Sequence, residues 1–592
     1  MRASRFVAMR RLRSLAIPVA IWAVPLLWVA EGLRRESLAP FGRDQGIFQY
    51  IGWALGRGEV DYRDIRDVNG PLTHLVHAFF LELGGWDEHR FRLLDLLVTT
   101  LVFAFVGACV PSLRSALPRG RAQSPDLLER TGWAIASWVV LSGQYLQYDF
   151  WHTAQRESFF DWFMLPSVAF QLVAQAPSRA PEALARRRQS LFLVLVGVLS
   201  VVPWFGKPTF VLFSLVQVVA LLAAPSLSLS RSRAVVAFAA GALACIAFGT
   251  GFLAVYGDLH AFVRMQLVEV PTSYRFIWAR RPLDLFATPW TATQAVLAIG
   301  GAATMVALIV TRQMSARAIA VALAPLCGLA SVAVQAKGFQ YHFHPVTAAV
   351  HLQWLVCVAW LTDRMRVARR DRAALRIVPL AAALAVALRV ATTTRDSTYL
   401  RAAWLRSGAA TPQERSSAEY FAHFPEPDFF PYELRQAAAF LRSHTRPTDR
   451  VQTYGMDPYV LFLARRESAT PYIYAYDLDA DAALAGGRGA RPDPAQSARI
   501  RAARDLHEAD LLARMQARPP AAFLFIDAAP LLSQRDAWAD FVAHCPQSAT
   551  WILERYGEVA RFGADHIWLP MDLYDVFTGT ISPNEAPVRR MP

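Results

Sequence analysis

Lysine is almost missing from this chain: of its 61 basic residues only Lys207 and Lys337 are lysine, and every other one is arginine. An Arg- and Ala-rich composition explains that usage before any function does, so the two lysines stand out and the arginines do not. Charge is also scarce. Asp, Glu, Lys and Arg make up 18% of 592 residues, against about 25% in soluble proteins, which excludes an ordinary soluble globule. Cysteine is sparse as well. Cys109, Cys245, Cys327 and Cys357 lie in or beside apolar runs, and only Cys545 lies elsewhere. Neither a disulfide framework nor a cysteine metal cluster is implied. The strand-like segments of the C-terminal region are not followed by a Gly-rich phosphate loop, so a nucleotide cradled in that way is excluded too.

What the chain does have is hydrophobic length. Hydrophobic residues are 54% of the sequence, and apolar runs long enough to span a bilayer recur as far as residue 391. They fall near 15–31, 92–111, 131–148, 155–174, 190–206, 208–224, 234–256, 290–310, 317–335, 342–361 and 375–391, which predicts about eleven crossings. Arginines alternate with the spans. Arg10, Arg11 and Arg13 precede the first, which has no usual cleavage site after it and reads as a retained anchor with the N-terminus cytoplasmic. Loops on that side carry Arg114, Arg119, Arg121 and Arg130, then Arg179 and Arg186–Arg188, Arg231 and Arg233, Arg312 and Arg317, and the run from Arg364 to Arg376. The opposite hairpins carry Arg156, Lys207 and Lys337. The net charge of +14 is therefore an orientation signal of a multi-pass membrane protein, and a nucleic-acid partner is rejected.

The fold expected is mostly α: a polytopic transmembrane helical bundle over 1–391, with a first outer loop at 32–91, followed by an extracytoplasmic α/β domain over 392–592. Within that domain, Tyr432–His444 and 497–516 read as helices, Arg450–Tyr454 as a strand, and Ala521–Ile526 as a buried strand. It shows no catalytic constellation, and a lid or docking role is the plain reading. Residues 71–84 are too short to cross. Leu72, Leu75, Val76, Phe79 and Leu83 share one helical face, as in a helix lying in the interface.

The polar residues nearest the outer ends of the spans are the candidates for chemistry. Asp44, in Phe41-Gly-Arg-Asp44-Gln45, can deprotonate a hydroxyl, or can simply pair with Arg43. Tyr62, Arg63, Asp64 and Asp67 form a second cluster, whose acids orient an acceptor, bind a cation through oxygen, or only shape a turn. Arg156, Glu157 and Asp161 open the fourth span, where an acid inside the membrane usually faces a polar cavity, the alternative being an ion pair that packs helices. Lys207 and Lys337 suit a lipid-linked phosphate, or snorkel to the interface. Tyr341 and His342 open a late span, and His342 with His344 lacks a third metal ligand.

The order of these elements resembles the multispan glycosyltransferases of the GT-C class, whose branches include the protein O-mannosyltransferases and the aminoarabinose transferase of lipid A modification. The resemblance rests on the Asp44 segment, on Val60-Asp-Tyr62-Arg63-Asp64 leading to Gly70-Pro71-Leu72, on Glu157, on Lys207-Pro208 and on Tyr341-His-Phe-His-Pro345. It implies Asp44 as catalytic base. It also implies a sugar on a polyprenyl phosphate as donor, and a glycan, lipid or protein acceptor at the outer face of a bacterial inner membrane, with no metal or other cofactor. Substrate contacts are expected from Tyr62, Arg63, Asp64, Asp67, Arg156, Glu157, Asp161, Lys207, Lys337, Tyr341 and His342. Many relatives carry two adjacent acids where this chain has Asp44-Gln45, which leaves Asp44 alone in its segment. A lipid-linked glycan polymerase or ligase and a non-enzymatic transporter are the competing classes. Against a transporter, no repeated halves with broken helices are visible.

Overall fold

In the computed structural model, residues 23, 25–116, 127–176, 181–224, 229–367 and 413–573 are described. The expected span at 375–391 and most of that at 15–31 lie outside them. The other nine expected spans are all helical. Among the described residues, six helices are long and apolar enough to cross a membrane: Glu88–Leu113, Glu182–Phe205, Arg231–Tyr256, Pro289–Val310, Ala316–Gln335 and Gln340–Arg364. Pro208–Ala223 is apolar but shorter.

The chain divides into two compact units. The first comprises Met1–Pro40, Asp87–Gly249 and Leu283–Ala409. The second comprises Phe41–Trp86, Thr250–Pro282 and Ala410–Pro592. The physical reason is a set of long-range ion pairs that bind residues 41–86 to the C-terminal region: Arg43 to Asp457, Arg66 to Asp477, and Arg450 to Glu59.

The first unit is built inside out. On the helix Glu88–Cys109, Arg92 and Asp95 are each 1% exposed while Leu93, Leu97 and Leu101 are more than half exposed. A water-soluble helix does the reverse; leucines outward and charge inward is the pattern of a helix in lipid. Arg92 is satisfied inside by the carbonyls of Pro40 and Phe150 and by Thr153 and Glu36. Close helix contact comes from glycine. A Cβ on Gly197 would lie 2.1 Å from the Phe238 carbonyl oxygen, and one on Gly241 would lie 2.0 Å from that of Val194. The helices Glu182–Val201 and Arg231–Tyr256 thus meet backbone to backbone, as small residues permit in membranes.

The second unit holds a five-stranded mixed sheet in the order β2-β1-β3-β5-β4, made of β1 (Arg450–Tyr454), β2 (Glu467–Ser468), β3 (Ala522–Ile526), β4 (Tyr556–Phe562) and β5 (Asp565–Pro570). β1 runs parallel to β2 and β3, and β5 runs antiparallel to β3 and β4. Every residue of β3 is buried, as its unbroken apolar run predicts. Pro431–His444 and Pro494–Ala517 are helices, the second opened by an Asp493–Gln496 capping box. Phe523, Phe525, Tyr454, Phe541, Leu511 and Met515 fill the core beside the sheet.

Residues 32–91, expected as the first outer loop, are largely helical, with Arg43–Gly56 and Pro71–Gly84 packed together. In Pro71–Gly84, Thr73, His74 and His77 are buried, while Phe79 and Leu83 are each 60% exposed. The apolar stripe read from the sequence is therefore turned outward, except for Leu72, which is buried.

Candidate functional site

Two polar clusters hold the candidate residues, one in each unit. In the first unit, helix ends brought together by packing supply them. Glu157, fully buried, sits in the first turn of Arg156–Ala174, whose start is fixed by reciprocal bonds between Gln155 and Ser158. The Lys207 ammonium, from the turn before Pro208, ion-pairs with Glu157 and donates to the side-chain oxygen of Gln335 at the end of Ile319–Gln335. His342 Nε2 lies 3.6 Å from Glu157 Oε1 and Arg156 Nε lies 3.6 Å from Oε2. The Arg156 guanidinium donates to the Tyr341 hydroxyl at 2.9 Å and lies over its ring.

Five of the residues expected from sequence, Arg156, Glu157, Lys207, Tyr341 and His342, are thus in mutual contact. Neither lysine snorkels: Lys337 is 5% exposed and the Lys207 side chain 14%. Burial pushes the Lys337 ammonium down to about 8. Asp161 is buried deeper along the same helix, and its Oδ1 has no hydrogen-bond partner. His344 turns elsewhere. It stacks on Tyr148 at 3.7 Å and its Nε2 meets the His152 carbonyl at 2.8 Å, so it does not pair with His342. Two cationic side chains, Arg156 and Lys207, against the one carboxylate of Glu157 leave an excess of positive charge, which suits a phosphate or diphosphate.

In the second unit, Asp44 stands half-buried in the first turn of Arg43–Gly56, on a helix and not on an aqueous loop. Arg43 anchors that helix start. Its Nε donates to Asp457 Oδ1 at 2.8 Å, and its other nitrogens reach Asp428. Burial is the main force pushing the Tyr474 phenol far up, with the charges of Asp67, Tyr476 and Asp44 adding to it.

The second loop cluster is engaged mostly within the loop, with one contact from Tyr474 to Asp67. Tyr62, at a φ of 67°, is buried and donates its hydroxyl to the Asn69 carbonyl at 2.7 Å. Arg63 forks onto its neighbour Asp64 at the surface, and Asp64 also accepts from the Val60 amide at 2.8 Å. Asp67 Oδ2 takes His74 Nε2 at 2.7 Å, while Asp61 Oδ2 takes His74 Nδ1 at 2.9 Å. Burial opposes charge on His74, but Asp61 and Asp67 outweigh it and hold the imidazolium up to about 10. In these contacts Asp64 shapes a turn, and Asp67 is held by the His74 imidazolium.

Other features were missed in the sequence. His74 is one, since nothing periodic links it to its acids. A cleft of about 110 Å³ is another, walled by Arg264, Glu269, Tyr274, Tyr476 and Arg504 around the π-helical turn Met265–Glu269. Asp479, Asp540 and His544 also converge beside the sheet, in a region where the sequence shows no constellation.

No protein-family model matches the chain. No curated protein matches it either. Among solved structures it is similar to ArnT from Cupriavidus metallidurans in the apo state, at 15% identity and a TM-score of 0.47, over 96% of this chain and 98% of that one. For the same protein bound to undecaprenyl phosphate the figures are 13%, 0.46, 94% and 96%. The oligosaccharyltransferase of Archaeoglobus fulgidus tethered with an acceptor peptide is similar at 11% identity and a TM-score of 0.44, over 91% of this chain and 72% of that one.

Proposed function

We propose that this chain is an integral-membrane glycosyltransferase that moves a sugar from a polyprenyl-phosphate donor to an acceptor hydroxyl at the outer face of the membrane. One observation carries the reading: Arg156, Lys207, Tyr341 and His342 gather around Glu157 from three separate helix ends. Packing alone gives no reason to collect that much positive charge out of water, whereas an anionic leaving group does.

In the reaction, Asp44 accepts the acceptor's proton as the acceptor oxygen attacks the anomeric carbon. The bond from that carbon to the carrier phosphate breaks, and the electron pair leaves with the phosphate. Arg156, Lys207 and Lys337 stabilise the charge that develops there. A single displacement inverts the sugar carbon, and no metal enters the step. The orientation belongs to this reading: eleven crossings, a cytoplasmic N-terminus and the sheet region outside.

Lys207→Ala is expected to weaken binding of polyprenyl phosphate by ~10–100-fold, the worth of one charge-assisted hydrogen bond of roughly 1.5–3 kcal/mol. Lys207→Arg should restore part of it, because the charge is kept but its shape is not. Titrating the purified, folded variants with carrier phosphate checks this. Unchanged affinity would leave Lys207 as no more than the ion-pair partner of Glu157.

Lys337 adds a pH signature. With its ammonium titrating near 8, the cation is present below that pH and lost above it. Affinity for the carrier phosphate should fall as pH rises through about 8, and the fall should vanish in Lys337→Arg. A flat profile from pH 7 to 9 (roughly one unit either side) would remove Lys337 from the phosphate contact.

Orientation is checked by reporters. A fusion after residue 391 should be active outside the cytoplasm, and one near residue 183 inside. A cytoplasmic signal after residue 391 would overturn the arginine parity and the outer-face assignment with it.

A further inference from the structure

The sheet region holds a group of side chains that the transfer reaction does not use. Asp479 and Asp540 are 2% and 0% exposed, and His544, on the helix Ala537–His544, is 7% exposed. One ligand atom from each lies within 4.8 Å of the other two. Asp481, half exposed, adds a third carboxylate beside the same imidazole.

Charge is the first argument. Among the described residues, the hydrogen bonds that both buried carboxylates accept come from neutral donors. Asp479 accepts from the backbone amides of Asp481 and Ser533. Asp540 accepts from the Tyr454 and Ser533 hydroxyls and the Gln534 amide. Among the described residues, His544 is the one basic side chain in an ion pair with them. A proton on it supplies a single positive charge against three carboxylates. Buried like charges left uncompensated are costly.

Geometry is the second argument. His544 Nε2 lies 3.5 Å from Asp479 Oδ1, 3.6 Å from Asp481 Oδ2 and 4.0 Å from Asp540 Oδ1. These separations are long for hydrogen bonds, and the close partner of Nε2 is the Ser533 hydroxyl at 3.0 Å, which a bound metal would displace from it. The separations approach the ~3.3 Å edge of a tetrahedron whose metal–ligand bonds are about 2.0–2.1 Å. The neutral donors then become the outer partners that orient the ligands, as supporting groups do around metals. One imidazole with three carboxylates suits zinc better than calcium, which takes six to eight oxygens. The half-exposed Asp481 leaves an entry path.

We propose that Asp479, Asp540 and His544, closed by Asp481, form a structural zinc site in the sheet region. It ties the segment after β2 to the helix after β3, and it lies outside the transfer chemistry, so it stands whether or not the proposed reaction does.

The test uses the full chain in detergent, stripped with chelator and titrated with zinc alone. Wild type should retain one equivalent more than His544→Ala by elemental analysis, and its thermal midpoint should rise with zinc, as binding to the folded state requires. Counting the difference separates this site from any other histidine in the chain. Should His544→Ala fail to fold, Asp481→Asn decides, since its half-exposed side chain is not needed for packing. It should weaken zinc binding by ~10–100-fold. Equal zinc content in wild type and His544→Ala, or unchanged affinity in Asp481→Asn, overturns the site and leaves a protonated His544 as the counter-charge.

Discussion

Asp44→Asn is expected to lose on the order of 10²–10⁴-fold in turnover, the usual contribution of general-base catalysis, with donor affinity and the amount of folded protein unchanged. The substitution keeps size and hydrogen bonding and removes only basicity. Folding should tolerate it because Arg43, not Asp44, carries the anchoring contacts to Asp457 and Asp428 at this helix start. Steady-state transfer in reconstituted vesicles is the measurement, with carrier-phosphate binding run alongside. Asp44→Glu should retain some activity if the acceptor tolerates one more methylene of reach. Arg43→Ala is the contrasting variant. It leaves Asp457 buried without its cation, so it should lower stability, which Asp44→Asn should not. Full transfer activity in Asp44→Asn would end the general-base assignment. Asp64 is then a poor substitute because it is tied to Arg63 and the Val60 amide, and Glu157 because it is tied to Lys207.

How far these sites can be read in the sequence depends on how local their causes are. The spans are legible because bilayer thickness demands long apolar runs, and β3 because burial on both faces demands a short one. Arg156, Glu157, Lys207, Tyr341 and His342 are legible because all lie at the same predicted ends of spans, so arginine parity and family order point to one face. The helix bearing Asp44 is not legible: Ile47, Phe48, Tyr50, Ile51 and Ala54 are buried all round it, so no amphipathic period marks it. The grouping of residues 41–86 with the C-terminal region is not legible for another reason. Arg43 and Asp457 are 414 residues apart, and no local pattern announces such a pair. The same holds for Asp479 and His544, which meet only because β1 and β3 are neighbours in the sheet.

His74→Ala should destabilise the second unit by about 3–5 kcal/mol, the cost of breaking a buried ion pair by removing one partner. The imidazole is fully buried between Asp61 and Asp67, 13 and 7 residues away, and its loss strands two carboxylates out of water. The effect should carry a pH signature. In the folded chain His74 keeps its proton up to about 10, whereas the ordinary value is 6.5. Its stabilisation is therefore fully present below pH 6.5 and is lost as pH rises through about 10. The gap in unfolding midpoint between wild type and His74→Ala should narrow over that window. A second variant separates charge from volume. Adding Asp61→Asn to His74→Ala removes one stranded carboxylate, so part of the stability should return, although Asp61→Asn alone should be harmful. A simple packing role predicts the opposite: additive losses and no pH dependence. Since Asp67 also accepts from Tyr474 and Asn69, loosening this clamp should disturb the segment that carries Asp44. A loss of turnover in His74→Ala should then appear together with the loss of stability, and should ease at low temperature where the fold is retained.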